Sequence, residues 1–419
     1  MKYLDTHEFS LAMDNKDPLK KYRQYFNFPK RDDGRDALYF CGHSLGLMPK
    51  KSKDYINEVL DSWAKHGVEG HFLGDFPWLP YHEFLTAPMA KIVGAKEREV
   101  VVMNTLTVNL HLMMVSFYRP TKTKFKILIE NNTFPSDQYA VASQARFHGF
   151  DPQLAILELV PDTGKITVDE NRLLQQIIDN KDELALVMLG DVNYLSGQSF
   201  DIEKIVKVCH DNKILVGFNL AHGAGNLNLK LHDWHVDFAV WCSYKYLNSG
   251  PGNLSGCFIH ETHLTDPNIK RFEGWWGTNK EQRFKMEPKF AAIPSAEAWQ
   301  LSNPPIFQMA AMRASLEIYD RAGMPAFGEK RDLLTGYLEY LLRKNCSDIL
   351  EIQTPGSGQR GCMLSLKFKN DPKEMVKKFA ELGIVCDFRE PNILRMAPNP
   401  LYISYADVYE LVTIIKGLI

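Results

Sequence analysis

Between residues 99 and 260 the chain alternates short apolar runs with longer stretches of mixed polarity. The runs are "EVVVMN" (99–104), "KFKILIE" (124–130), "LAILELV" (154–160), "LALVMLG" (184–190), "ILVGFNLA" (214–221), "DFAVWCSY" (237–244) and "CFIH" (257–260). Such short, nearly continuous apolar runs, rich in β-branched and aromatic residues, predict strands buried on both faces. Between several of them lie helical periods such as "DIEKIVKVCHDN" (201–212). Strands alternating with helices predict an α/β fold, a mostly parallel seven-stranded sheet covered by helices. The pattern changes after residue 305. "IFQMAAMRASLEIYDRAG" (306–323) and "KRDLLTGYLEYLLRKN" (330–345) read as helices. "LEIQTP", "CMLSLKF", "DPKEMVKKFAELG", "IVCDF", "ILRMAP" and a last helix from about Ala406 then describe a small α+β unit. The expected organisation is a segment over 1–60 packing with the small domain, a large α/β domain over 61–305, and a small C-terminal α+β domain over 306–419.

Composition narrows the function classes. The 419 residues carry a formal net charge of −2, with 45% hydrophobic and 24% charged residues, as in ordinary globular proteins. Neither nucleic acid nor an anionic membrane is an expected partner. The stretch "MKYLDTHEFSLAMDNKD" has no apolar leader core, and no run approaches 18 apolar residues, so neither secretion nor membrane spanning is expected. Seven scattered cysteines without a C-x-x-C pair argue against a disulfide framework and a zinc site, so no metal is expected and a reducing cytoplasm is.

In an open parallel sheet, ligands sit outside the carboxyl ends of the strands. After "EVVVMN", Thr105, Leu106 and Thr107 open a helix; the threonines serve either as N-caps or as a phosphate seat. After "KFKILIE", Pro135, Ser136 and Asp137 are a helix start, and Phe134 stands at the turn, where a flat ligand stacked on it would explain an exposed ring. "DVNYLSGQSFD" follows the next run as a polar, glycine-containing loop. After "ILVGF", Asn219 and His222 are polar groups in or just past a buried run, either satisfied core residues or ligands. Tyr244-Lys245-Tyr246 then closes an apolar strand before a glycine-rich turn. Such a lysine either snorkels to water or is a desolvated amine with a lowered pKa, suited to nucleophilic work. A phosphate seat, an aromatic plate, an amide with an imidazole, and a strand-end lysine on one sheet edge form the set that pyridoxal 5'-phosphate (PLP) needs.

Over nearly its whole length the chain resembles kynureninase, a PLP-dependent family of fold type I related to the class V aminotransferases. The resemblance rests on "SLGLMPK" (44–50), "MNTLTVNLHL" (103–112), "FPSDQYA" (134–140), "GFNLAHGAGN" (217–226), "DFAVWCSYKYLN" (237–248), "GWWGT" (274–278), "LSNPPI" (301–306) and "RMAPNPLY" (395–402). It implies hydrolysis of L-kynurenine or 3-hydroxy-L-kynurenine to an anthranilate and L-alanine, in tryptophan breakdown or nicotinamide-nucleotide synthesis. It further implies that Lys245 carries the cofactor and moves the α-proton, and that Tyr244 is the acid for the leaving carbon. Leu106 and Thr107 would seat the phosphate with Tyr244 and Trp275, within the "FPSD" turn of Phe134, Pro135, Ser136 and Asp137. Phe134 would stack on the ring, while Asp137, Asn219 and His222 line its nitrogen and hydroxyl edge. Arg395 would grip the substrate carboxylate. Ser44, His71, Ser302 and Asn303 would contact the substrate, Asn303 also the cofactor, with a histidine and an asparagine favouring the 3-hydroxylated form. The family analogy implies a homodimer sharing its sites, Trp275 and Asn303 coming from the second copy.

Two positions depart from the family pattern. Asn219 stands where a D-L-A-H order is expected, so a neutral amide replaces the acid beside the ring nitrogen. His43 stands in "GHSLG" where asparagine is usual. Alternatives are another fold type I enzyme, an aminotransferase or a cysteine desulfurase, and a weakened PLP-binding relative in which Asn219 has blunted the chemistry. A desulfurase would need a mobile reactive thiol, for which Cys346 and Cys362 lack a flexible setting.

Overall fold

The apolar runs form the central sheet of the structure, a computed structural model that describes residues 2–369 and 371–418. Its strands are β1 (Val100–Met103), β2 (Lys126–Glu130), β3 (Ile156–Leu159), β4 (Leu184–Gly190), β5 (Leu215–Asn219), β6 (Phe238–Cys242) and β7 (Ser255–Ile259). They lie in the order β1-β7-β6-β5-β4-β2-β3. Every pairing from β6 through β5, β4 and β2 to β3 is parallel, while β7 runs antiparallel to both β6 and β1. β1, β6 and β7 are buried at every position, as continuous apolar runs require.

Local chemistry trims several expected strands. In "LAILELV" the first residues end a short helix, Pro152–Ala155, because Asp151 caps it by accepting from the Gln153 N–H and Pro152 suits its first turn. "ILVGFNLA" leaves the sheet at Asn219, where Gly223 and Ala224 donate backbone N–H groups to Leu220 O and close a turn. The second C-terminal helix begins at Met324 rather than at residue 330, because Pro325 sits in its first turn just after Gly323.

Two helices rise directly from the carboxyl ends of strands: α1 (Leu106–Phe117) after β1 and α2 (Pro135–Phe147) after β2. The C-terminal region holds an antiparallel sheet of β8 (Leu350–Ile352), β9 (Leu364–Phe368), β10 (Asp387–Arg389) and β11 (Ile393–Met396), in the order β8-β9-β11-β10. The N-terminal residues pack against it. Leu38–Tyr39 pairs with Ile384–Val385, and the Asp14 carboxylate accepts from Tyr405 N at 2.7 Å and Ala406 N at 3.0 Å, at the start of the last helix. A turn over Cys41–Leu45 then reaches the large sheet, where Gly46 N donates to Tyr244 O at 2.8 Å. Any side chain at Gly46 would collide with the Lys245 carbonyl, so glycine permits this close approach. Among the described residues, no helix is long and apolar enough to cross a membrane.

Candidate active site

The carboxyl edge of the sheet opens onto a cavity of about 250 Å³. Two helix N-termini face each other there. Thr105 precedes α1 in extended conformation, yet its side chain makes no cap bond, so the first-turn N–H groups at Leu106 and Thr107 are left to other acceptors. Thr107 Oγ1 lies 2.7 Å from Ser136 Oγ in the first turn of α2. Two hydroxyls between two positive helix ends make a seat for an anion. Phe134 is the residue before α2; its ring is 47% exposed, lines the cavity and meets the Tyr194 ring edge-on at 5.5 Å.

Lys245 enters from the turn after β6. Its Nζ sits 3.2 Å from His222 Nε2 and 5.9 Å from the centre of the Phe134 ring. Desolvation lowers the Lys245 pKa, and the Arg395 and Arg389 charges push the same way against Cys242 and Asp137. His222 is held well below the usual imidazole range by burial and then by Lys245, so it is neutral, and its Nδ1 is buried without a partner. Tyr244 also lines the cavity; burial, helped by Cys242, pushes its pKa up, so its phenol keeps its proton.

Asn219, the last residue of β5, is oriented by its neighbours. Its Oδ1 accepts from Ala221 N at 3.0 Å, and its Nδ2 donates to Asp137 Oδ2 at 2.7 Å. The other Asp137 oxygen is buried and unpartnered. Burial lifts Asp137 to about 6 against the opposing pull of Asn219 and Lys245. The neutral amide is thus clamped to a cavity carboxyl that lies elsewhere in the sequence.

The remaining candidates fall outside this lining. Pro135 is in the first turn of α2. Ser44 lies in the turn before Gly46, donating its N–H to Cys41 O. His71 Nδ1 is paired with Val68 O at 2.9 Å, and the ring packs on Trp78. The Trp275 indole N–H donates to Arg283 O at 3.0 Å, and Ser302 and Asn303 are exposed. Arg395 is buried just behind the wall, donating through Nη1 to the carbonyl of Tyr194, a lining residue.

Sequence reasoning did not single out Glu130, Asn193, Tyr194 or Asp191. Glu130 closes β2, lines the cavity and is lifted by burial to about 7, with Asn193 Nδ2 donating to it at 3.1 Å. An acid ending an apolar strand was its one visible signal. Asp191 lies under the same edge. Its Oδ2 has no partner and occupies the space where a Gly223 side chain would sit, and burial lifts it to about 8.

A kynureninase of Myxococcus xanthus is 56% identical over 99% of this chain and 97% of its own length. One from Nematostella vectensis is 44% identical over 98% and 94%. The chain belongs to the kynureninase family. The family description "Kynureninase C-terminal domain" matches residues 328–415. Among solved structures, C-DES with glycine covalently linked to its PLP cofactor matches with a TM-score of 0.76 at 16% identity, over 91% of this chain and 96% of that one. The cysteine desulfurase CsdA of Escherichia coli matches with a TM-score of 0.73 at 15% identity, over 95% and 98%. These likenesses establish the expected fold, an α/β architecture around a mostly parallel seven-stranded sheet. The kynureninase-family chain does not present a desulfurase thiol at the proposed positions: Cys346 and Cys362 are fully buried, and burial raises them to about 11 and about 12.

Proposed function

We propose that this chain hydrolyses L-kynurenine and 3-hydroxy-L-kynurenine to the corresponding anthranilate and L-alanine, with PLP held on Lys245. The reading rests on family membership and, within the structure, on one observation: a desolvated strand-end amine 3.2 Å from a neutral imidazole, in a cavity headed by two helix N-termini. The donor set fits the cofactor. The Thr107–Ser136 seat suits a phosphate, Phe134 a flat ring, and the unpartnered Asp137 Oδ1 and His222 Nδ1 its polar edge. When bound, PLP supplies an electron sink for bonds broken at the substrate's α- and β-carbons.

The residues' tasks follow from their protonation. The lowered pKa of Lys245 increases its free-amine fraction, which suits it to take the α-proton. Water adds to the substrate's γ-carbonyl, and the protonated Tyr244 phenol donates to the β-carbon as the Cβ–Cγ bond breaks. Arg395 receives the α-carboxylate, a task suited to a guanidinium fork. Asp137, clamped to Asn219, supplies the acid on the ring-nitrogen side.

Trp275, Ser302, Asn303 and His71 serve a site shared between two copies of the chain, since all lie outside the cavity of one copy and all are at least partly exposed. His71 and Asn303 would then recognise the 3-hydroxyl and favour 3-hydroxykynurenine. All seven cysteines are unbridged, in keeping with a reducing cytoplasm.

The test supplies purified protein with PLP and each substrate. Borohydride is expected to fix the cofactor to the peptide carrying Lys245, and alanine and anthranilate to form in equal amounts. Absence of labelling at Lys245, or consumption of substrate without alanine, overturns the reading. A higher kcat/KM for plain kynurenine overturns the 3-hydroxy preference alone.

A further inference from the structure

The surroundings of Arg395 assign a task to His43, the histidine that departs from the family pattern. A guanidinium carries five N–H groups. For Arg395, Nε donates to Asp387 Oδ1 at 2.8 Å, Nη2 donates to Asp387 Oδ2, and Nη1 donates to Tyr194 O at 2.7 Å. One hydrogen remains on each Nη nitrogen, and a carboxylate has two oxygens to accept them. Asp387 therefore takes the Nε–Nη2 side of the fork and leaves the second hydrogen of Nη2 to another acceptor.

Asp387 is itself held from two further directions. Arg389 Nη2 lies 3.0 Å from Oδ2, and His43 Nε2 lies 2.9 Å from Oδ1. His43 is fully buried and kept neutral, at about 4, first by burial and then by Arg395. Its Nδ1 has no partner, so the ring proton belongs on Nε2, donating to Asp387. The turn carrying His43 is tied to the catalytic segment, because Gly46 N donates to Tyr244 O next to Lys245. A continuous path thus runs from the lysine segment through the 41–46 turn, His43 and Asp387 to Arg395. The amine and the carboxylate of an amino acid leave the same carbon, so the spacing between the lysine and the guanidinium must be held to a fraction of an ångström.

We propose that His43 is a positioning residue for substrate binding: through Asp387 it fixes the Arg395 fork relative to Lys245 and keeps the remaining Nη hydrogens free for the α-carboxylate. This rests on Arg395 receiving that carboxylate. His43 touches neither substrate nor cofactor in this role. An asparagine could donate to Asp387 in its place, whereas a leucine of similar bulk could not.

The test compares His43→Leu, His43→Asn, Asp387→Asn and Arg395→Gln in the PLP-loaded enzyme, reading kcat, KM and inhibition by the product L-alanine. His43→Leu is expected to raise KM and the alanine inhibition constant together by about tenfold or more, with kcat within about twofold. His43→Asn is expected to restore both constants to within about threefold of the original, and Asp387→Asn to follow His43→Leu. Unchanged KM in His43→Leu, a loss confined to kcat, or failure of His43→Asn to restore binding overturns the proposal. If His43→Leu does not fold, the Asp387→Asn and His43→Asn pair decides it by the same constants. If Arg395→Gln leaves KM unchanged, the reading of Arg395 has failed; if only Arg395→Gln raises KM, the inference about His43 has failed alone.

Discussion

Buried carboxylates lie at both edges of the large sheet, and the two edges treat them oppositely. At the edge away from the cavity, Asp237 precedes β6 and accepts from His263 Nε2 at 2.8 Å, His210 Nε2 at 3.1 Å and Val216 N at 2.8 Å. Glu99, before β1, accepts from His232 Nδ1, Glu261 N and Lys96 N, each at 2.9 Å. Every oxygen there has a donor. At the cavity edge, Asp137 and Asp191 each keep one oxygen without a partner. Burial tends to raise Asp237, Asp137, Glu130 and Asp191, but for Asp237 the imidazole and backbone bonds outweigh it and lower the pKa, whereas Asp137, Glu130 and Asp191 rise to about 6, 7 and 8. Burial is thus common to both edges, and the number of donors decides the outcome. One edge spends its polar groups on the fold; the other leaves some of them unpaired, as the proposed ligand site requires.

The contrast can be broken in four ways. The largest effect belongs to Lys245→Ala, which should lower product formation by more than about a thousandfold while leaving the urea midpoint near its original value. A collapse of stability instead would make the lysine structural. Next, Asp237→Ala should cost about 3–5 kcal/mol in urea unfolding, because three donors are left facing a void. The native pKa of Asp237 lies below its unfolded value of about 4, so its contribution is present above that pH and is lost as pH falls through the native pKa. An Asp237→Ala protein matching the parent at pH 7 would show that the donors find water as readily.

Third, Asn219→Asp should raise kcat about tenfold by adding charge beside the cofactor ring, and lower cofactor-free stability by facing Asp137 with a second acid. Unchanged kcat would mean that Asp137 alone suffices. The smallest effect is a slope. Because Asp137, Glu130 and Asp191 have raised native pKa values, the folded chain binds more protons than the unfolded chain between about pH 4 and 8. The melting temperature of cofactor-free protein should therefore fall by a few degrees from about pH 5 to 8. Asp191→Asn should flatten the upper part of that fall; an identical slope would remove Asp191 from the account.

Features carried by neighbouring residues were legible in the sequence. The continuous apolar runs marked the strands, and helix-start chemistry at Pro135 and Thr105 marked the turns that line the cavity. Reversal of β7 was not legible, since "CFIH" reads alike in either direction. Long-range pairings were invisible too. Asp387 beside His43, and Asp191 in the space that Gly223 leaves, join segments whose local patterns carry no trace of one another. Glu130 was half visible, as an acid closing an apolar run, but its meaning depends on Asn193 from the loop after β4.

The reversed strand carries a consequence for how the molecule assembles. Cys242 pairs with Ser255 across the loop 243–254, so β6 and β7 form a local antiparallel pair, and the lysine lies in that loop just past β6. The parallel neighbours of this pair must instead be recruited through long crossovers, with a larger loss of chain entropy. Among the pairings of the large sheet, that of β6 with β7 therefore closes the shortest stretch of chain, and this stretch carries the amine.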